Sequence, residues 1–329
     1  MRLSELAYEM ITPDPQIDGL TADSRAVSRG FLFAALPGVN VDGAKFIAEA
    51  EEKGAAAILA RPGVTSKLPV ITDEEPRRRL AQMAARFYPR QPDIIAGVTG
   101  TNGKTSTARF AAQLWSALGH EAGSMGTLGA QSRLYERPLA HTTPDPVMLH
   151  ETLDALARGG VTHLAMEVSS HALVQFRADA VNFTVAAFTN ITQDHLDYHA
   201  SFEDYFSAKG RLFRELLAKH GVAAVNMDGA GAEGIVDIAR ERKVATEQTG
   251  VKGRDGRLVT CATHLGGLAL EIECRGHVYR ADTRLIGAFQ AENALLAAGM
   301  VIAAGGRADE VMAGLQNLEG APGRMEFIT

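Results

Sequence analysis

Residues 100–106, GTNGKTS, stand between an apolar run, DIIAGVT, and a helix-forming stretch, KTSTARFAAQLWSALG. Glycines at Gly100 and Gly103 let the backbone turn tightly enough for its N–H groups to face phosphate oxygens. The following helix start adds partial positive charge, Lys104 reaches the β/γ-phosphates, and the Thr105 hydroxyl suits Mg²⁺. The strict pattern G-x-x-x-x-G-K-[ST] is not met, because Val98 occupies its first position. A Gly-Lys-Thr at a strand-to-helix junction still has the required mechanics, so nucleotide binding outranks a plain glycine-rich helix cap. Glu167 follows the apolar run HLAM, and TNITQDHLDYH places Asp194, His195, Asp197 and His199 just past another one. Ligands of open α/β sheets gather outside the carboxyl ends of the strands, where Glu167 and His195 could hold a divalent metal on the phosphates. Two other readings stay open: an i, i+4 zinc pair of His195 and His199 (with no HExxH glutamate beside it), or a solvated charged loop. Lys209, in YFSAKGRLF, is by residue type a surface lysine.

The elements that must carry these residues are α/β. DIIAGVTG, THLAMEVSS, NFTVAAFTN and GVAAVNMD read as buried strands alternating with helices, which argues for a parallel sheet with helical crossovers. LVTCAT and LALEIEC suggest an antiparallel hairpin off the main sheet, followed by the helices AENALLAAGMVIAAG and ADEVMAGLQNL. Upstream, FLFAAL and AAAILA read as strands, and AKFIAEAEEKG as a helix. The best linker is RFYPRQPD, where Pro89 and Pro92 interrupt regular structure. We place a domain boundary there, with one domain at 1–88 and a second at 89–329.

The 329 residues, 46% of them hydrophobic and 22% charged, suffice for two buried cores. A net charge of -6 leaves no basic footprint for nucleic acid or anionic lipid. No apolar stretch is long enough to cross a membrane, and MRLSELAYEM is not a secretion signal. Cys261 and Cys274 are too few for a disulfide framework. A cytoplasmic protein without nucleic-acid or membrane partners is expected.

Together the motifs resemble the Mur ligase family, the ATP-dependent amide-forming enzymes of peptidoglycan precursor synthesis. The carrying segments are GVTGTNGKTS (97–106), HTTPD (141–145), MEVSSHALVQFR (166–177), TNITQDHLDYH (189–199), SAK (207–209) and GRME (323–326). VSSHALVQFR with DHLDYH is similar to the MurE type, which adds the third stem-peptide residue to UDP-MurNAc-L-Ala-D-Glu. TADSR (21–25) is similar to that type's UDP-contacting segment.

The resemblance implies a small N-terminal UDP-binding α/β domain and a P-loop-type central domain. It implies ATP phosphates on Gly100, Thr101, Asn102, Gly103, Lys104, Thr105 and Ser106, with Asn293 near the adenine. Magnesium, at two sites, would be met by Thr105, Glu167, His195 and Lys209, the last as a carbamylated lysine. Ala22, Ser24, Val39, Asn40 and Val41 match positions around the uridine nucleotide. His141, Thr142, Thr143, Ser169, Gln175 and Arg177 match contacts to the muramoyl dipeptide. His141 stands where asparagine is frequent, and Gln290, in AFQAEN, where FN is usual. The implied reaction converts a carboxylate to an acyl phosphate that a diamino acid, meso-diaminopimelate or L-lysine, then attacks. In an acidic chain the phosphate charge must be met locally, by Lys104, Arg177 and magnesium. The resemblance further implies a Rossmann-like third domain beyond GRME; nothing in the 329 residues matches it, so these residues alone are expected to bind without substantial ligation. A folylpolyglutamate synthase-like ligase and a UDP-sugar-binding module without turnover are the alternatives.

Overall fold

A computed structural model describes residues 1–38, 41–192, 199 and 201–321, which fall into two compact units. The first comprises Met1–Arg90 with two later segments, Asp145–Asp154 and Gln175–Ala180. Its strands β1 (Gly19–Thr21), β2 (Phe31–Ala34), β3 (Ala57–Ala60) and β4 (Val70–Thr72) form one parallel sheet in that order. Alternate residues of β2 enter different cores: Leu32 and Ala34 pack with Leu3, Leu6 and Leu80, whereas Phe33 packs with Val27 and Ile47. A sheet buried on both faces follows from that period of two. The unit's helices are α1 (Leu3–Ala7), α2 (Ile47–Glu52) and α3 (Pro76–Phe87). Pro76 begins α3, where its missing N–H costs no hydrogen bond, and Leu80, Ala81, Met83 and Ala84 form the buried stripe.

The second unit comprises Gln91–Pro144, Ala155–Val174 and Val181–Thr329. Its strands are β5 (Ile94–Thr99), β6 (Ala122–Gly126), β7 (Gly129–Ser132), β8 (Glu136–Arg137), β9 (His163–Glu167) and β10 (Phe183–Phe188). They continue with β11 (Leu217–Asn226), β12 (Ala245–Gly250), β13 (Gly256–His264), β14 (Gly267–Cys274) and β15 (His277–Thr283). All join one sheet in the order β15-β14-β13-β12-β11-β10-β5-β9-β6-β7-β8. Strands β6, β9, β5, β10, β11 and β12 run parallel, and both edges finish antiparallel. This is the mostly parallel sheet with an antiparallel element expected from the sequence. One detail is corrected: the hairpin does not stand off the main sheet. Strand β13 pairs with β12 through Thr249 and Gly250, so β13, β14 and β15 extend the sheet. An edge strand with unpaired backbone groups recruits such cover.

The helices of this part of the chain are α4 (Lys104–Ala117), α5 (Pro146–Arg158, whose residues divide between the units), α6 (Ser170–Val174), α7 (Phe202–Arg211), α8 (Ala232–Glu241), α9 (Phe289–Ala303) and α10 (Ala308–Gly314). Phe110, Leu114 and Trp115 of α4 share one core with Leu295, Leu296 and Met300 of α9. Each such buried side chain contributes about 1.5–3 kcal/mol. Strand β5 lies between β9 and β10, yet α4 carries the chain from β5 toward β6 whereas β10 leads toward β11. Connections leaving in opposite directions open a crevice at the carboxyl ends of these strands. Among the described residues no helix is long and apolar enough to cross a membrane.

Candidate functional site

Residues 100–103 emerge from β5 into that crevice and lead directly into α4. Gly100 (φ 146°) and Gly103 (φ 86°) lie in backbone regions that glycine alone adopts freely. A Cβ on Gly100 would stand 1.9 Å from Thr189 Oγ1, and one on Gly103 would stand 2.3 Å from Asn293 Oδ1. The loop is therefore pressed against the segment after β10 on one side and α9 on the other. Thr101 N donates to Asn190 O (2.9 Å), Asn102 N to Asn190 Oδ1 (3.1 Å), and Thr189 Oγ1 to Asn102 O (2.6 Å).

Two ammonium groups meet on this loop. Lys104 Nζ donates to Gly100 O (3.0 Å) and Thr101 O (2.8 Å), and Lys209 Nζ donates to Gly100 O (2.8 Å). Lys209 is not the surface lysine its residue type suggested; it is 1% exposed in the last turn of α7, on a face turned to the loop. Local positive charge thus stands at the loop of an acidic chain. Thr105 is half-buried in the first turn of α4, and Ser106 is buried. Asn293, buried, donates through Nδ2 to Gln290 Oε1 (3.0 Å), so the residue in place of the usual asparagine orients the amide facing Gly103.

Glu167 ends β9 opposite Val98 of β5 and is 2% exposed. Its carboxylate accepts from Thr127 N (2.8 Å) and Thr127 Oγ1 (3.3 Å), and that hydroxyl lies 3.1 Å from Thr142 Oγ1. Thr143 Oγ1 donates to Glu167 O (2.9 Å) and accepts from Ser169 N (3.1 Å), while Ser169 Oγ caps α6 by accepting from Ala172 N (3.2 Å). The structure so brings Thr142, Thr143, Ser169 and Glu167 into one hydrogen-bonded cluster, with His141 exposed beside it in sequence. Thr127 escaped the sequence reading, although the tight Gly-Thr-Leu-Gly reversal between β6 and β7 marks a backbone N–H free to point at a neighbour.

His195, Val39, Asn40 and the GRME segment lie outside the described residues. His199, the other member of the zinc pair considered, is buried, and its Nε2 lies 3.0 Å from Ser170 Oγ. Among the described residues no group of three or more His, Cys, Asp or Glu is arranged to hold a metal.

In the first unit, a cleft of about 520 Å³ is lined by Thr21, Ala22, Asp23, Phe31, Tyr88 and Met148. Asp23 caps the turn that carries Ser24 by accepting from Arg25 N (3.0 Å), and Ser24 O accepts from Lys53 Nζ (2.8 Å). Val41 is exposed. Gln175 Oε1 accepts from Arg177 Nε (3.0 Å) and Nη2 (2.7 Å).

Family profiles match both parts of the chain: "Mur ligase family, catalytic domain" over residues 16–88 and "Mur ligase middle domain" over residues 98–301. The chain belongs to the Mur ligase family. Among curated Mur ligases it is 45% identical to the UDP-N-acetylmuramoyl-L-alanyl-D-glutamate--2,6-diaminopimelate ligase of Caulobacter vibrioides, over 99% of this chain and 69% of that protein. It is 43% identical to the ligase of the same name from Bradyrhizobium diazoefficiens, over 99% of this chain and 68% of that protein. A solved structure of a ligase with that name superposes with a TM-score of 0.89 at 28% identity, covering all of this chain and 69% of the other. The chain is thus a Mur ligase by sequence and by fold, and its Gly100 loop and Glu167 fall inside the middle-domain match.

Proposed function

We propose that this ligase joins meso-diaminopimelate to the D-glutamyl carboxylate of UDP-MurNAc-L-Ala-D-Glu in the cytoplasm, at the expense of ATP. The observation that carries the reading is the convergence of Lys104 Nζ and Lys209 Nζ on Gly100 O of a glycine loop at a sheet switch point. The names of relatives more than 40% identical support the choice of substrate.

The residues from Gly100 to Ser106 would cradle the ATP phosphates, with Lys104 leaving its carbonyl partners for the β/γ-oxygens and Asn293 near the adenine. The 520 Å³ cleft containing Ala22, with Ser24 and the 39–41 segment, would take the uridine nucleotide. His141, Thr142, Thr143, Ser169, Gln175 and Arg177 would hold the dipeptide. The first domain, 1–88, would thus serve the uridine nucleotide, and the second, 89–329, ATP and the dipeptide. In the reaction, the D-glutamyl carboxylate oxygen attacks the γ-phosphorus and ADP leaves. The amine of the diamino acid then attacks the acyl carbon, and phosphate leaves with the carboxylate oxygen.

The donor set fits magnesium. Thr105 offers a hydroxyl and Glu167 a carboxylate held by Thr127, both hard oxygen ligands. Lys209 as an ammonium repels a cation; carbamylated, it would present a carboxylate and join them, with His195 completing the set. Bound magnesium would neutralise charge on the transferring phosphoryl group. Thr127 keeps Glu167 aimed.

Titration calorimetry tests the substrate assignment. UDP-MurNAc-L-Ala-D-Glu is expected to bind at least about tenfold tighter than UDP-MurNAc-L-Ala, from charge-assisted contacts to the added carboxylates. Equal affinities for the two would refute the assignment.

A further inference from the structure

We propose that Tyr205 is a positioning residue of the phosphate loop, fixing its shape from beneath at two adjacent residues. The proposal rests on the reading of this loop as the ATP site. Helix α7 begins at Ser201, whose Oγ accepts from Asp204 N (3.1 Å), and this start puts Tyr205 and Lys209 one turn apart on one face. Both side chains are buried, Tyr205 completely and Lys209 to within 1%. The phenol ring lies under Lys209 Nζ, 4.3 Å from the ring centroid. That nitrogen donates to Gly100 O, a bond that the one N–H of a carbamylated lysine can also make.

The other end of the same side chain reaches the next loop residue: Tyr205 Oη lies 3.2 Å from Thr101 Oγ1. Thr101 Oγ1 also accepts from Thr192 N (3.0 Å) and lies 3.4 Å from Thr192 O. One aromatic residue therefore grips Thr101 directly and Gly100 through Lys209. The ring also packs against His199, centroids 4.9 Å apart. Lys104 holds the same two loop residues through their carbonyls, but it must release them to meet phosphate. When it does, the grip from α7 remains. Tyr205 thereby preserves the loop conformation while Lys104 moves, and that preorganisation is what favours nucleotide binding.

Equilibrium dialysis of Mg·ATP against the purified chain tests this. Tyr205→Phe keeps the ring beneath Lys209 and removes only the hydroxyl. The Kd for ATP is expected to rise about 3- to 10-fold, the worth of one hydrogen bond. In a Thr101→Val background, which lacks the hydroxyl at position 101, the same change should alter Kd less than about twofold; in a Thr101→Ser background the full effect should return. A residue acting only on stability would move Tm and leave the coupling in Kd at zero. Should Tyr205→Phe fail to fold, Thr101→Val, which removes the Thr192 contacts as well, is expected to raise Kd by at least as much. An unchanged Kd in Tyr205→Phe, or equal increments with and without the Thr101 hydroxyl, overturns the proposal. A wild-type chain that binds no ATP overturns the nucleotide reading itself.

Discussion

Gly126→Ala displaces the Glu167 carboxylate without touching Glu167. Gly126 ends β6, and a Cβ built there would stand 2.1 Å from Glu167 Oε1 and 2.5 Å from its Cγ and Cδ. Real Cβ contacts do not fall below 3.0 Å, so the carboxylate must move by most of an ångström. It then loses good geometry to Thr127 N, at 2.8 Å, and Thr127 Oγ1, at 3.3 Å. Hydrogen bonds to a charged group are worth about 1.5–3 kcal/mol each, and partial relaxation leaves a net loss of about 2–4 kcal/mol. For a unit of this size that corresponds to a fall in Tm of roughly 4–16 °C. Thermal unfolding by circular dichroism measures it, in wild-type and Glu167→Ala backgrounds. With Oε1, Cδ and Cγ gone, Gly126→Ala should cost under about 1 kcal/mol. Equal losses in the two backgrounds would show that the Gly126–Glu167 approach is not what holds the carboxylate.

Gly103→Ala combines a φ of 86° with a Cβ 2.3 Å from Asn293 Oδ1, so ATP affinity should fall at least about tenfold. Gly63→Ala, at φ 87° with open space around it, is the control, and dialysis should show its ATP affinity unchanged. His150 is buried with Nε2 3.1 Å from Asp179 O, and burial pushes its pKa down to about 4, the backbone contact opposing. Its unfolded value is about 6.5, so the unfolded chain binds more protons between those values. Stability is therefore complete above pH 6.5 and is lost as pH falls toward 4. His150→Leu should flatten the fall of Tm across that window, and an unchanged slope counts against the assignment. His163, pushed down to about 4 by burial and by His120, acts in the same direction and contributes to the slope that remains.

The strand–loop–helix around Lys104 was legible because an apolar run, a glycine turn and a helix start are local signals. Glu167 was legible at a strand end for the same reason. Lys209 was not: its burial depends on a carbonyl 109 residues earlier in the chain, and no local pattern encodes that. Tyr205 escaped for the same reason, since its aromatic ring reads as ordinary helix core until Thr101 is placed against it. The position of β5 between β9 and β10 is likewise a product of long-range pairing. Other omissions had signals. Pro76 before a periodic apolar stripe marks α3, and Arg275-Gly276, both at positive φ, makes the two-residue turn that joins β14 to the missed β15.

The most direct test of the central claim is stoichiometric binding of Mg·ATP to the chain and to Lys104→Met, by equilibrium dialysis with ADP and UMP as competitors. One ATP per chain is expected, displaced by ADP and not by UMP, with affinity at least about tenfold weaker in Lys104→Met. Binding of ATP that Lys104→Met leaves unaltered would contradict the account.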